Sequence, residues 1–114
     1  MFEQPRVLLC SFEVLPSPTG VSRRFTEYVK GLSAAYEVVV LSVKTRDLPH
    51  IERFHGARLL RVPVGTGDFA SRTQAFERAV LRQLESEEYS LVHFADPFGG
   101  YGICEQRTGQ AYRV

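Results

Sequence analysis

The start of the chain passes from a short apolar segment through a loop into a segment with helical spacing. Residues 7–12 form an apolar run of strand length, and the loop that follows contains Pro16, Pro18 and Gly20. Proline and glycine interrupt a strand and favour a loop at its carboxyl end. Apolar residues then recur as on one face of a helix: Val21, Phe25, Val29 and Leu32. This order predicts a buried strand, a loop, and a helix whose first N–H groups can bind an anion.

The same alternation of strand-like and helix-like segments continues along the chain. Strands are predicted at residues 6–12, 37–43, 58–64 and 90–94, with the start of a fifth at 110–114. Helices are predicted at 21–35 and 69–85, a third should begin at Asp96-Pro97, and 45–56 is expected to be a polar connection. Strands that alternate with helices favour a parallel sheet covered on both faces. We therefore predict an α/β fold, a doubly wound parallel sheet of Rossmann-like type that is truncated after about four strands.

Two of the predicted loops should face one crevice. In the winding order 3-2-1-4-5, the first and fourth strands are neighbours at the point where the winding reverses, and ligands bind beyond their carboxyl ends. The loops 12–20 and 93–100 follow these two strands. This convergence is the main argument from the residues for a binding site.

Size, charge and cysteine content limit the classes of function. The 114 residues are enough for one domain, and a net charge of +1 argues against nucleic acid or an anionic membrane as the main partner. Cys10 and Cys104 make no disulfide framework, which indicates a reducing, cytoplasmic setting, at the membrane periphery or away from it. No apolar run approaches the roughly 20 residues of a membrane span, and no signal peptide is expected.

The loop and first helical turn after the first predicted strand carry several polar candidates. Gly20 either lets a phosphate or a sugar approach the backbone or is a turn residue. Thr19, like its serine neighbours, either donates a hydrogen bond to a ligand or caps the helix, and capping is favoured. Arg23 and Arg24 lie where the helix dipole opposes a cation. An anionic ligand would account for one of them, and Arg24 is kept as a binding candidate, although solvated arginine is the commoner outcome.

The end of the fourth predicted strand carries the other candidates. His93 should lie at the mouth of the crevice, either as a hydrogen-bonding or acid/base group or as a satisfied, partly buried histidine. Asp96 either binds sugar hydroxyls or caps a helix before Pro97, and capping is favoured.

Two further patterns are interpreted as structural. The segment Gly65-Thr66-Gly67-Asp68-Phe69-Ala70 matches a dinucleotide-binding pattern, but it follows the third strand rather than the first. We interpret it as a turn in which Asp68 caps the second helix. His50 and His55 share a loop with no cysteine or carboxylate cluster, so no metal site is predicted.

The chain resembles the N-terminal domain of GT-B-fold retaining glycosyltransferases of the family 4 type, a group that includes sucrose synthase-like and bacterial polysaccharide enzymes. Those proteins begin with a strand, a P-x-x-G-G-V-type loop and a helix, and Pro16-Ser17-Pro18-Thr19-Gly20-Val21 is similar to that loop. Their second and third strands resemble residues 37–42 and 56–64. The segment Ser90-Leu91-Val92-His93-Phe94-Ala95-Asp96-Pro97 resembles their D-V-V-H-x-H-D-P segment.

The resemblance implies an enzyme of carbohydrate biosynthesis that moves a sugar from a nucleotide-sugar donor to an acceptor hydroxyl. This chain would be the N-terminal, acceptor-side domain. Thr19, Gly20 and Val21 match the loop that approaches the donor diphosphate and the transferred sugar. His93 and Asp96 match the segment that lines the acceptor side, and His93 is the catalytic candidate. No cofactor is implied besides the nucleotide sugar as co-substrate.

The sequence departs from the family pattern in three respects. The double glycine is Thr19-Gly20, the second histidine is Ala95, and the C-terminal domain that supplies most of the donor site is absent. We therefore expect residues 1–114 to be an incomplete domain, inactive alone, with an unpaired edge on the fourth strand that favours self-association. The alternative is a small standalone nucleotide-binding or flavodoxin-like interaction domain without catalysis.

Overall fold

The computed structural model describes residues 5–12, 15, 20–45, 47–95 and 112–113. Within these residues there are two helices, α1 (Gly20–Ser33) and α2 (Phe69–Ser86). The strands are β1 (Arg6–Cys10), β2 (Glu37–Val43), β3 (Ile51–Phe54), β4 (Ala57–Val62), β5 (Leu91–Phe94) and β6 (Tyr112–Arg113).

The strands form one sheet in the order β3-β4-β2-β1-β5-β6. Neighbouring strands run parallel except for β3, which is antiparallel to β4. The parallel part has the predicted winding order, and β1 and β5 are neighbours with Cys10 opposite Phe94. The predicted α/β, Rossmann-like fold class is confirmed, and the carboxyl ends of β1 and β5 lie side by side.

Successive residues of each strand point to opposite faces of the sheet, and each face has its own apolar core. On the α2 face, Phe76 and Val80 of the helix pack with Leu8, Val39 and Phe94 of the strands. On the α1 face, the core contains Leu9, Leu15, Phe25, Val29, Val40 and Leu59. Both faces of the central strands are therefore buried, which is why their sequences are almost continuously apolar.

The strand β3 was not predicted, because residues 45–56 were expected to be a polar connection. Its four residues pair antiparallel with β4 through a tight hairpin. His55 and Gly56 form the turn with positive φ values of 50° and 91°, the combination that a two-residue hairpin turn requires. Phe54 is buried in the α1-face core, and Glu52 pairs with Arg61 of β4. This strand is specified by its tertiary partners rather than by an apolar run.

The other end of the sheet also differs from the prediction. Tyr112 and Arg113 pair with Val92 and His93, so the fifth parallel strand is present. The expectation of an unpaired edge on the fourth parallel strand is therefore wrong at these positions, because β6 covers β5 there. The edges of the described sheet are β3 and β6. The third helix, predicted to begin at Asp96, lies outside the described residues.

A polar network surrounds Glu87 at the amino-terminal edge of the sheet. Arg58 donates two hydrogen bonds to the Glu87 carboxylate at 2.8 and 2.9 Å, and Arg6 lies 3.5 Å from it. Gln83 donates to both Glu87 and the Tyr89 hydroxyl at 2.6 Å. Burial opposes ionisation of Glu87, but the hydrogen bonds and charge of Arg58 outweigh it and lower the pKa of that carboxyl. The network joins the end of α2 to β1 and β4 at the edge opposite the predicted crevice.

Candidate functional site

A pocket lies between α1 and the carboxyl end of β5, on the α1 face of the sheet. It has a volume of about 320 Å³ and is lined by Arg24, Phe25, Tyr28, His93 and Ala95. We call it the α1–β5 pocket. It lies beside the carboxyl end of β5, next to the crevice expected from the winding order, but its described lining comes from α1, β5 and Ala95 and includes no residue of the loop 12–20.

The pocket brings together two of the predicted site residues, Arg24 and His93. Arg24 is exposed in the first turns of α1, and His93 is half-buried near the end of β5. Gly20 is the first residue of α1, one position before the predicted helix start at Val21. Thr19 and Asp96 lie outside the described residues, so their predicted roles stay predictions.

The imidazole of His93 is held against an aromatic side chain. Its ring centroid lies 5.0 Å from that of Tyr28, with the two planes inclined by 43°. The Nδ1 atom of His93 is shielded from solvent. The contact limits the directions in which the imidazole can present a hydrogen-bonding group to a ligand.

The electrostatics of the α1 start favour an anion. No acidic residue lies in the first turn of α1, and Arg23 and Arg24 add positive charge there. The N–H groups and dipole of a helix start also attract negative charge. A phosphate or carboxylate near Arg24 would therefore be stabilised both by the arginine charges and by the helix start.

Tyr28 was not identified as a site residue from the sequence. It lies one helical turn after Arg24, beside the buried stripe that contains Phe25 and Val29. The residue is 40% exposed, which places it at the border between core and pocket. Helical spacing predicts that Tyr28 is a neighbour of Arg24. Its proximity to His93 depends on the pairing of β5 with β1, which helical spacing does not reveal.

The glycine-bearing turn after β4 has the structural role that was predicted. Asp68 caps α2, and its carboxylate accepts a hydrogen bond from the Ser71 backbone N–H at 2.8 Å. Hydrogen bonds from Ser71 lower the pKa of Asp68. Gly65 has a positive φ of 79°, as a turn glycine often does. The turn lies on the α2 side of the fold and does not line the α1–β5 pocket.

In the part of the chain that the structure describes, no helix is both long and apolar enough to cross a membrane. The same residues contain no group of three or more potential metal ligands among histidine, cysteine, aspartate and glutamate.

Solved structures share the fold at low sequence identity. The chain is similar to a sucrose-phosphate synthase from Thermosynechococcus elongatus, with a TM-score of 0.77, 17% identity, and coverage of 96% of this chain and 32% of that chain. A second structure of that synthase gives a TM-score of 0.66 and 16% identity, over 94% of this chain and 60% of that chain. A C-terminal domain of a hydrogenase from Pyrococcus furiosus gives a TM-score of 0.64 and 16% identity, over 100% of this chain and 92% of that chain.

These likenesses establish the architecture, which proteins of different function share. The chain spans less than a third of the first synthase structure. No curated protein matches the chain.

The family is given by the sequence itself, because residues 18–112 match Glycosyltransferase Family 4. That match includes α1, the strands β2 to β5, the first residue of β6 and all the described residues that line the α1–β5 pocket. The resemblance drawn from the opening loop and the His93 segment is confirmed: the chain belongs to glycosyltransferase family 4.

Proposed function

We propose that this chain forms the N-terminal, acceptor-side part of an enzyme that transfers a sugar from a nucleotide-sugar donor to an acceptor hydroxyl. The observation that carries the proposal is the family match over residues 18–112, which spans the α1–β5 pocket. The fold would not suffice, because a hydrogenase domain has a similar one.

The lining of the pocket suits a small polar ligand. At about 320 Å³ the pocket is near the lower end of the usual range for ligand sites, which favours one sugar-sized group over an extended chain. Phe25 and Tyr28 supply apolar surface, and His93 and Arg24 supply hydrogen-bonding groups. A neutral imidazole can accept a proton or a hydrogen bond from an acceptor hydroxyl as that hydroxyl becomes a nucleophile.

The donor would approach from the start of α1. In this proposal the backbone at Thr19, Gly20 and Val21 lies near the diphosphate and the transferred sugar, and Asp96 adds hydrogen bonds on the acceptor side. The absence of acidic residues from the first turn of α1 supports a position for a phosphate there. The remaining donor contacts would come from a second domain, so we expect the 114 residues alone to transfer no sugar.

The experiment compares the isolated chain with the complete gene product that contains it. Each is incubated with UDP-, ADP- and GDP-sugars and a panel of acceptors, and acceptor-dependent release of nucleoside diphosphate is measured. We expect release from the complete protein and none from the isolated chain. Transfer by the isolated chain would contradict the incomplete site, and no transfer by the complete protein with any pair would contradict the proposed function.

Pocket variants of the complete protein connect the activity to this site. We expect Arg24→Ala and His93→Ala to lower acceptor-dependent turnover. Arg23→Ala is the matched control, because Arg23 is an exposed arginine of the same helical turn that does not line the pocket. Equal losses in the Arg23 and Arg24 variants would show that general positive charge, not the pocket, is responsible.

A further inference from the structure

Arg61 of β4 carries a guanidinium group that is removed from solvent. Its side chain is 0% exposed, and it lies on the α1 face beyond Ala57 and Leu59, which belong to the apolar core. Arginine is almost never fully buried unless it is paired. Burial of the guanidinium charge is unfavourable unless its N–H groups are hydrogen-bonded. The acceptors of those hydrogen bonds therefore show which segments the Arg61 side chain holds in place.

The guanidinium group joins three separate segments of the chain. Its Nε and Nη2 atoms donate to the carbonyl oxygen of Leu15 at 3.2 and 2.9 Å. Its Nη1 atom donates to the carbonyl oxygen of Pro49 at 2.9 Å, and Nη2 also donates to Glu52 at 2.5 Å. The two bonds to one carbonyl need the planar fork of arginine, which lysine lacks. Arg61 therefore fixes the backbone at Leu15 relative to the β3–β4 hairpin.

Leu15 connects this group to the wall of the α1–β5 pocket. Its side chain is fully buried and belongs to the same core as Phe25 and Val29 of α1. Phe25 in turn lines the pocket, whereas Arg61 does not. Close packing transmits a displacement of Leu15 to the helix, because a core has little free volume to absorb it.

We propose that Arg61 is a positioning residue for the α1–β5 pocket, with Glu52 as its counter-ion. It holds Leu15 and, through Leu15, the Phe25 side of the pocket. The kinetic consequence rests on the proposed function, but the structural part can be tested on the 114 residues themselves.

The same strand offers a matched control. Arg58 also makes a short pair with a glutamate, at 2.8 and 2.9 Å to Glu87, but at the opposite edge of the sheet. Arg58→Lys weakens an arginine–glutamate pair on β4 without touching Leu15. Comparison with Arg61→Lys separates a local effect on the pocket from a general loss of stability.

Amide hydrogen exchange followed by NMR gives the test, with Val39 and Val80 as reporters of global unfolding. In Arg61→Lys and Arg61→Met we expect exchange at Phe25 and Val29, two α1 residues in the same core as Leu15, to accelerate about tenfold or more relative to those reporters, as for loss of one charge-assisted hydrogen bond. Arg58→Lys should change the exchange rates of these amides and of the two reporters by the same factor. If Arg61→Met does not fold, Arg61→Lys decides. Unchanged relative exchange at Phe25 and Val29 in the folded variants would overturn the proposal.

A kinetic measurement on the complete protein extends the test. We expect Arg61→Lys to raise the acceptor KM more than the donor KM, and Arg58→Lys to leave their ratio unchanged. An equal rise in both KM values would contradict the positioning role. If the unmodified complete protein shows no transfer, the proposed function fails, while the exchange experiment still decides the role of Arg61.

Discussion

Ionisation of Tyr89 should limit the stability of the fold at high pH. Its side chain is only 4% exposed, and burial raises the pKa of Tyr89 from 10.0 to about 12. A group whose pKa is raised in the folded state favours folding while it remains protonated. Its contribution is therefore fully present below pH 10.0 and is lost as the pH rises towards about 12.

The difference between the two pKa values sets the size of the effect. It corresponds to about 3 kcal/mol of unfolding free energy in total. About half of this should be lost by about pH 11, where the phenol of the unfolded chain is mostly ionised and that of the folded protein is not.

Urea unfolding at about pH 9 and about pH 11 measures this loss in the unmodified protein and in Tyr89→Phe. The variant loses the Gln83 hydrogen bond at both pH values, so the informative quantity is the change between them. We expect the unmodified protein to lose about 1 kcal/mol more than Tyr89→Phe over this interval. Tyr36→Phe, at a tyrosine that is 38% exposed, is the control for removal of a phenol. Equal losses in the unmodified protein and Tyr89→Phe would refute the reasoning.

Three further predictions concern stability and are each read from urea unfolding. Glu87→Gln should make stability depend less on pH at acid pH. The lowered pKa of Glu87 stabilises the fold above pH 4.5, the ordinary pKa of the group, and that contribution is lost as the pH falls. An unchanged dependence of stability on acid pH would contradict this. Phe76→Ala should cost about 3–5 kcal/mol because the ring is fully buried, and Phe69→Ala, at a ring that is 49% exposed, should cost less. Gly56→Ala should lower the free energy of unfolding by about 1–2 kcal/mol, because φ is 91° and the new Cβ would lie 3.2 Å from Ser33 Cβ. Gly31→Ala, where the new Cβ would meet open space within α1, should raise it slightly. A less stable Gly31→Ala than Gly56→Ala would contradict both assignments.

The parallel sheet could be predicted because its strands are buried on both faces. The bounds of β2 match the prediction at residues 37–43, and its residues Val38 to Leu41 are all buried. β3 could not be predicted in this way. It is short and partly charged, and its stability depends on pairing with β4 and on contacts of Glu52 and Phe54.

The α1–β5 pocket could be anticipated from the sequence only in part. Parallel winding places the ends of β1 and β5 together, so the helix that follows β1 and the end of β5 could be expected to face each other, and Arg24 and His93 line one pocket. Tyr28 was missed because its contact with His93 depends on how α1 lies over the sheet. Arg61 was missed because arginine in a strand is ordinarily a surface residue. Its partners, Leu15, Pro49 and Glu52, come from segments that only the folded chain brings together.

The central claim is that the α1–β5 pocket holds the acceptor. The most direct test measures the KM for acceptor and for nucleotide sugar in the complete protein, with His93→Ala compared with the unmodified enzyme. Loss of one hydrogen bond at the pocket should raise the acceptor KM about tenfold and leave the donor KM nearly unchanged. A raised donor KM with an unchanged acceptor KM would contradict the claim.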